Sequence, residues 1–105
     1  MRRGEVWWAD LPPPDRMRPV VLLSRNSAYS VRTLITVAPV TTRIRGIHSE
    51  VRLGPEDGLP RHCVVNLDNL NTISSHLLQR VITELDQDKM QLVDAAIRFA
   101  LGMEE

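Results

Sequence analysis

Apolar residues in this chain fall into several short runs separated by turn formers, followed by one late segment with helical spacing. The two strongest runs are residues 19–23 (PVVLL) and 34–40 (LITVAPV), both rich in β-branched side chains. Such runs predict strands buried on both faces. Residues 24–33 between them are polar and read as a connecting loop. Near the start, Val6 and Trp8 alternate with Glu5, Trp7 and Ala9, which predicts a strand with one buried face. At least one tryptophan is expected in the core, leaving the other as a half-exposed stacking surface. Pro12, Pro13, Pro14 and Asp15 then stop the strand and force an extended connection.

Further on, residues 46–49 read as a loop, 50–53 as a short strand and 54–60 as a turn-rich connection. Residues 63–67 read as another strand, 68–73 as polar and turn-prone, 74–78 as a short helical turn, and 80–83 as a strand that closes the sheet. The clearest helix comes last. Asp86 is its N-cap, and Leu85 and Met90 are spaced as a hydrophobic staple. Met90, Val93, Ile97, Ala100 and Leu101 form one apolar stripe, which Gly102 ends. The order of elements predicts a mainly β fold, a small barrel with a C-terminal helix packed on it, as one domain over residues 1–105.

Composition narrows the class. A 105-residue chain with 43% hydrophobic residues suits a single modest core. One cysteine, Cys63, rules out an internal disulfide and fits a reducing compartment. No apolar run approaches the ~18 residues that a membrane span needs, and residues 1–4 lack the apolar stretch of a signal peptide, so a cytoplasmic location is expected. Net charge is zero, but the charges are sorted. Residues 1–52 carry nine arginines against four acids, and residues 53–105 carry four cations against nine acids. Arginine, which makes up twelve of the thirteen cations, suits bidentate phosphate contact and stacking on bases.

Polar side chains at the ends of the two main runs supply the candidate chemistry. Arg18 opens the first, and Thr41, Thr42, Arg43 and Arg45 close the second. If the strands pair antiparallel, Arg18 and the Thr41–Thr42 pair meet at one rim of the sheet. A guanidinium fork beside a hydroxyl suits a phosphate. Arg25, Arg43, Arg45, Thr42, Trp8 and Asn69 are the candidate substrate contacts. Metal chemistry finds no support, because His48, His62 and His76 lack ligand spacing and Cys63 stands alone. No cofactor is expected.

The segment 3–11 (RGEVWWADL) resembles the opening of the MazF/PemK toxins, ribonuclease components of bacterial toxin–antitoxin systems. The resemblance continues through 18–24 (RPVVLLS), 37–41 (VAPVT), 58–60 (GLP), 64–69 (VVNLDN) and 85–101, in family order across nearly the whole chain. It implies an SH3-like barrel of the MazF/CcdB type with a C-terminal helix, usually a homodimer, cutting single-stranded RNA without a metal. The family's active-site Arg and Thr fall on Arg18 and Thr41. A MazE-like antitoxin with an acidic, partly disordered tail is the implied partner. The connection from Asp10 to Arg18 is shorter than is usual in the family, and Cys63 and Asn69 stand where Ser and Gln are common.

The implied reaction uses the RNA's own 2′-hydroxyl as nucleophile. Arg18, whose pKa stays above ~12, would stabilise charge on the phosphoryl oxygens, and Thr41 would hold one of them. The sequence does not identify the general base; His48 and a carboxylate on the rim are the candidates. Alternatives are a CcdB-like toxin that poisons gyrase by binding it, and a nucleic-acid-binding barrel without catalysis.

Overall fold

The computed structural model describes residues 1–104. Seven strands run β1 (Glu5–Asp10), β2 (Met17–Leu22), β3 (Leu34–Thr41), β4 (Glu50–Leu53), β5 (Cys63–Asn66), β6 (Asn71–Ser74) and β7 (Leu78–Glu84). Two helices complete the fold: the one-turn α1 (Ala28–Val31) and the C-terminal α2 (Gln87–Ala100). All strand pairs are antiparallel, in the order β4-β5-β3-β2-β1-β7, with β6 added to β3. The sheet is not closed: β4 and β7 are its outer strands. The expected barrel is therefore an open one, and α2 packs against β4 and the 3₁₀ turn Leu67–Asn69.

Alternating side chains explain why β2 and β3 read as continuous apolar runs. Val21, Leu23, Ala38 and Val40 belong to one buried cluster with Val51, Leu53, Val65, Leu85, Val93 and Ala96. Val20, Leu22, Ile35 and Val37 belong to a second cluster with Ala9 and Ile73. Residues of opposite parity thus face opposite sides of the sheet. Both sides are covered, the first by α2 and the second largely by the sheet's own loops and partly buried side chains. Each buried valine or leucine contributes about 1.5–3 kcal/mol through removal from water.

The helix is held as its sequence predicts. Asp86 Oδ1 accepts the N–H of Lys89 at 2.8 Å, and Leu85 and Met90 meet in the first cluster. Gly102, with φ +72°, ends the helix in the left-handed region that glycine favours. Arg3 ties the N-terminus to α2 through Asp94 at 2.7 Å.

Three expectations need correction. Residues 71–74, read as turn, form β6, a polar strand held by its backbone pairing with Leu34–Val37. The polar loop after β2 contains the turn of helix α1. Neither tryptophan is fully buried, although Trp7 packs on the second cluster. β1 keeps its alternation, with Trp7 paired to Val20 and Trp8 to Pro19, and the two register shifts against β7 place their extra residues, Gln79 and Ile82, on β7.

Candidate active site

The site begins where β3 changes partners. Its pairing with β2 runs Leu22↔Val37, Val21↔Ala38, Val20↔Pro39, and stops there. Its pairing with β5 then takes over at Val40↔Val65 and Thr41↔Val64. Neither Pro19 nor Pro39 has an N–H to extend the β2–β3 ladder, so the strands part at this end. Arg18 and Thr41 are the next residues of matching parity beyond Val20 and Pro39, on the two diverging strand ends.

Between them lies a cleft of about 470 Å³. Parity fixes its floor: Arg18 and Val20 from β2, and Val37, Pro39 and Thr41 from β3, all on the face of the second cluster. Arg43 and Arg45 follow from the loop after β3. Leu11 and Asp15 come from the β1–β2 connection, which closes on itself through Leu11 N–H to the Arg16 carbonyl at 2.9 Å. Asn66, Asp68, Asn69, Leu70 and Asn71 form the remaining wall.

Local hydrogen bonds hold these parts in place. Thr41 Oγ1 accepts the N–H of Arg43 at 3.1 Å, which leaves its own proton free for an anionic oxygen. Glu50 Oε1 accepts the N–H groups of Arg45 and Gly46, each at 3.0 Å, and so pins the arginine-bearing loop to the start of β4. The buried Ser49 hydroxyl donates to Asp68 Oδ2 at 2.5 Å, and the Asp68 N–H donates to Asn66 Oδ1 at 2.9 Å. Leu67 N–H donates to the Ser49 carbonyl at 2.8 Å. The turn that carries Asp68 and Asn69 is thereby fixed to the same segment, Ser49 and Glu50, that holds the arginine loop.

Of the residues predicted for the site, Arg18, Thr41, Arg43, Arg45 and Asn69 line this one cleft. Thr42 is exposed beside it but does not line it. Arg25 lies beyond the other end of β2, roughly 20 Å of extended chain from Arg18. Trp8 pairs with Pro19, and so faces the side of the sheet opposite Arg18; it lines a shallow depression with Met17, Gln79 and Arg80. His48 is also elsewhere, with its ring edge-on to Phe99 at 5.4 Å. The carboxylates on the rim are Asp15 and Asp68. Neither carried a periodic signal, and only the turn chemistry of residues 68–69 pointed to that wall.

Comparison with known proteins adds to this geometry. The sequence model of the PemK-like, MazF-like toxins of type II toxin–antitoxin systems matches residues 2–101. The chain belongs to this family. It is 41% identical over 100 residues to a probable endoribonuclease, MazF5, of Mycobacterium tuberculosis, covering 94% of this chain and 91% of that one. Identity to the probable endoribonuclease MazF2 of the same organism is 35% over 103 residues, with 97% and 99% covered. Among solved structures, the Mycobacterium tuberculosis toxin MazF-mt6 superposes with a TM-score of 0.88 at 34% identity, covering 96% of this chain and 99% of that one. An endoribonuclease in complex with its cognate antitoxin, from a mycobacterial species, superposes with a TM-score of 0.88 at 28% identity, covering 100% and 98%. These two solved structures share this fold over nearly their whole length.

Proposed function

We propose that this protein is the toxin of a type II toxin–antitoxin pair and an endoribonuclease that cuts single-stranded RNA by attack of the 2′-hydroxyl on the adjacent phosphate. The observation that carries the reading is that Arg18 and Thr41 line one cleft, where two strands diverge. The guanidinium of Arg18 stabilises the negative charge that grows on the phosphoryl oxygens during in-line attack. Thr41 donates its hydroxyl proton to one of those oxygens. Both sit on strands, so their backbones are already ordered when RNA arrives. Arg43 and Arg45 hold flanking phosphates, and Asn69 contacts a base. Asp15, a carboxylate lining the cleft, is the candidate acceptor for the nucleophile's proton.

In this reading the reaction needs no metal, because the RNA supplies its own nucleophile and Arg18 supplies the positive charge. The chain works as a homodimer, in which two clefts extend the path of one RNA. Its partner is an antitoxin whose acidic, partly disordered tail folds onto the arginine-lined cleft and competes with RNA. The pair acts in the cytoplasm; no helix of the described residues is long and apolar enough to cross a membrane.

The test is cleavage of a long RNA by purified protein in excess EDTA. Activity is expected to persist, and a single 2′-deoxy nucleotide 5′ to the scissile phosphate is expected to block cutting there. Arg18→Ala is expected to lower the rate by about 10²–10³ with the fold intact. Cleavage of the 2′-deoxy substrate, or full activity in a folded Arg18→Ala protein, would overturn the assignment.

A further inference from the structure

The cleft has two chemically different walls. Arg18, Arg43 and Arg45 suit phosphates, whereas Asn66, Asp68, Asn69 and Asn71 offer amides and one carboxylate. A carboxylate is unfavourable toward a polyanion unless it accepts a hydrogen bond from it. Among the described residues Asp68 makes no ion pair, so its oxygens are not engaged by the arginines of the cleft. It is instead held in place. Ser49, only 1% exposed, donates to Oδ2 at 2.5 Å, which leaves Oδ1 for another donor. The backbone of the turn is fixed by the bond from Asp68 N–H to Asn66 and by the bond from Leu67 N–H to Ser49.

We propose that Asp68 is a specificity-determining residue that accepts a hydrogen bond from the exocyclic amino group of one RNA base, with the amide of Asn69 donating to the ring nitrogen beside it. The inference rests on the endoribonuclease reading above and names what that cleft selects. A carboxylate is acceptor-only, and an asparagine amide supplies both donor and acceptor. Cytosine and adenine each present one amino donor next to one ring acceptor, which this pair complements. Uracil presents a carbonyl oxygen where the amino group would be, and that oxygen would face a carboxylate with no proton to share. Guanine offers two adjacent donors, which a carboxylate matches best with both oxygens free, and here one is engaged by Ser49. One position of the cleaved site is therefore cytosine or adenine.

The experiment is cleavage of a randomised RNA pool by the full-length protein, with the new ends sequenced. One position is expected to favour cytosine or adenine over uracil by about ten-fold or more, the usual discrimination of a good base contact. Asp68→Asn is isosteric and keeps an oxygen for Ser49, but replaces the acceptor with an amide that also donates. It is expected to reduce the preference at that position to within about three-fold, or to reverse it toward uracil, and to leave the others unchanged. Ser49→Ala frees the carboxylate to rotate and is expected to relax the same position by a smaller factor. An unchanged profile for Asp68→Asn, a uniform fall at every position, or a wild-type profile without amino-base preference would each overturn the proposal. The absence of any cleavage by the wild-type protein would instead overturn the nuclease reading on which it stands.

Discussion

Glu50 gives the most direct check on how the arginine loop is placed. Its Oε1 is the common acceptor for Arg45 and Gly46, while its Oε2 is buried without a partner. Hydrogen bonds to a charged group contribute about 1.5–3 kcal/mol each. The two N–H groups are in an exposed loop and return to water when the carboxylate is removed, so the combined loss should be nearer 1–3 kcal/mol. Glu50→Ala also removes the unpartnered oxygen, which offsets part of that loss in overall stability. The cost should therefore appear in RNA binding, because the loop must be ordered before Arg43 and Arg45 reach phosphates. That corresponds to a KM raised about 5–150-fold, with kcat little changed because Arg18 and Thr41 stay on their strands.

Single-turnover cleavage across RNA concentrations, paired with thermal melting, separates the two effects. Losing one or two arginine–phosphate contacts should also flatten the salt dependence of binding, by about 0.7 in logarithmic slope for each contact with a single strand. Glu50→Gln retains the acceptor oxygen and should bind within a few-fold of the wild type. A folded Glu50→Ala protein with an unchanged KM and salt slope would refute the reasoning. Equal losses in the Gln and Ala variants would mean that the two hydrogen bonds are not what matters.

Gly58→Ala tests the turn beneath β7. The glycine has φ +94°, and an added Cβ would lie 2.5 Å from Thr83 Oγ1 and 2.7 Å from Thr83 Cβ, so a loss of about 2–4 kcal/mol is expected in urea melts. A change under about 0.5 kcal/mol would show that β7 yields easily. Tyr29, the sole tyrosine, has its pKa pushed up from 10.0 to about 12, chiefly by burial, while its hydroxyl donates to the Ser24 carbonyl at 3.1 Å. The fold disfavours the tyrosinate, so this stabilisation is complete below pH 10 and is lost as pH rises toward 12. Tyrosinate absorbance should titrate late in the native protein, and a native midpoint at the ordinary tyrosine value would contradict it.

The parts legible in the sequence were those with a repeating physical cause. β2 and β3 were found because both of their faces are buried, and α2 because its stripe, cap and stop agree. β6 was missed because Asn71 and Thr72 are exposed, and its strand character comes from pairing with β3, a long-range contact that local composition does not encode. For the site, antiparallel pairing of β2 with β3 was enough to bring Arg18 toward Thr41. Trp8 and Arg25 lie away from the cleft for geometric reasons. One residue of register decides which face a strand side chain occupies, and arginine content says nothing about which end of a strand a loop joins. Asp15 and Asp68 were hardest to find, because loop residues follow no period.

This division of labour bears on what sequence change can do to the activity. Arg18 and Thr41 depend on the β2–β3 register, which the two buried clusters fix from both faces of the sheet. A one-residue slip would turn Arg18 to the other face of the sheet, away from the cleft, and would swap the side chains packed into the two clusters, so the pair proposed for phosphate chemistry is protected by the same energy that folds the protein. The side chains that would read the base have less protection. Leu67 anchors their turn in the first cluster, but Asp68 itself is held by one hydroxyl, and the arginine loop by one carboxylate. Each of those bonds is worth a few kcal/mol at most. Substitutions at the exposed residues Asp68, Asn69 and Asn71 can therefore change which RNA sequence is cut while the cutting itself persists. Substitutions that disturb β2 or β3 should remove fold and activity together.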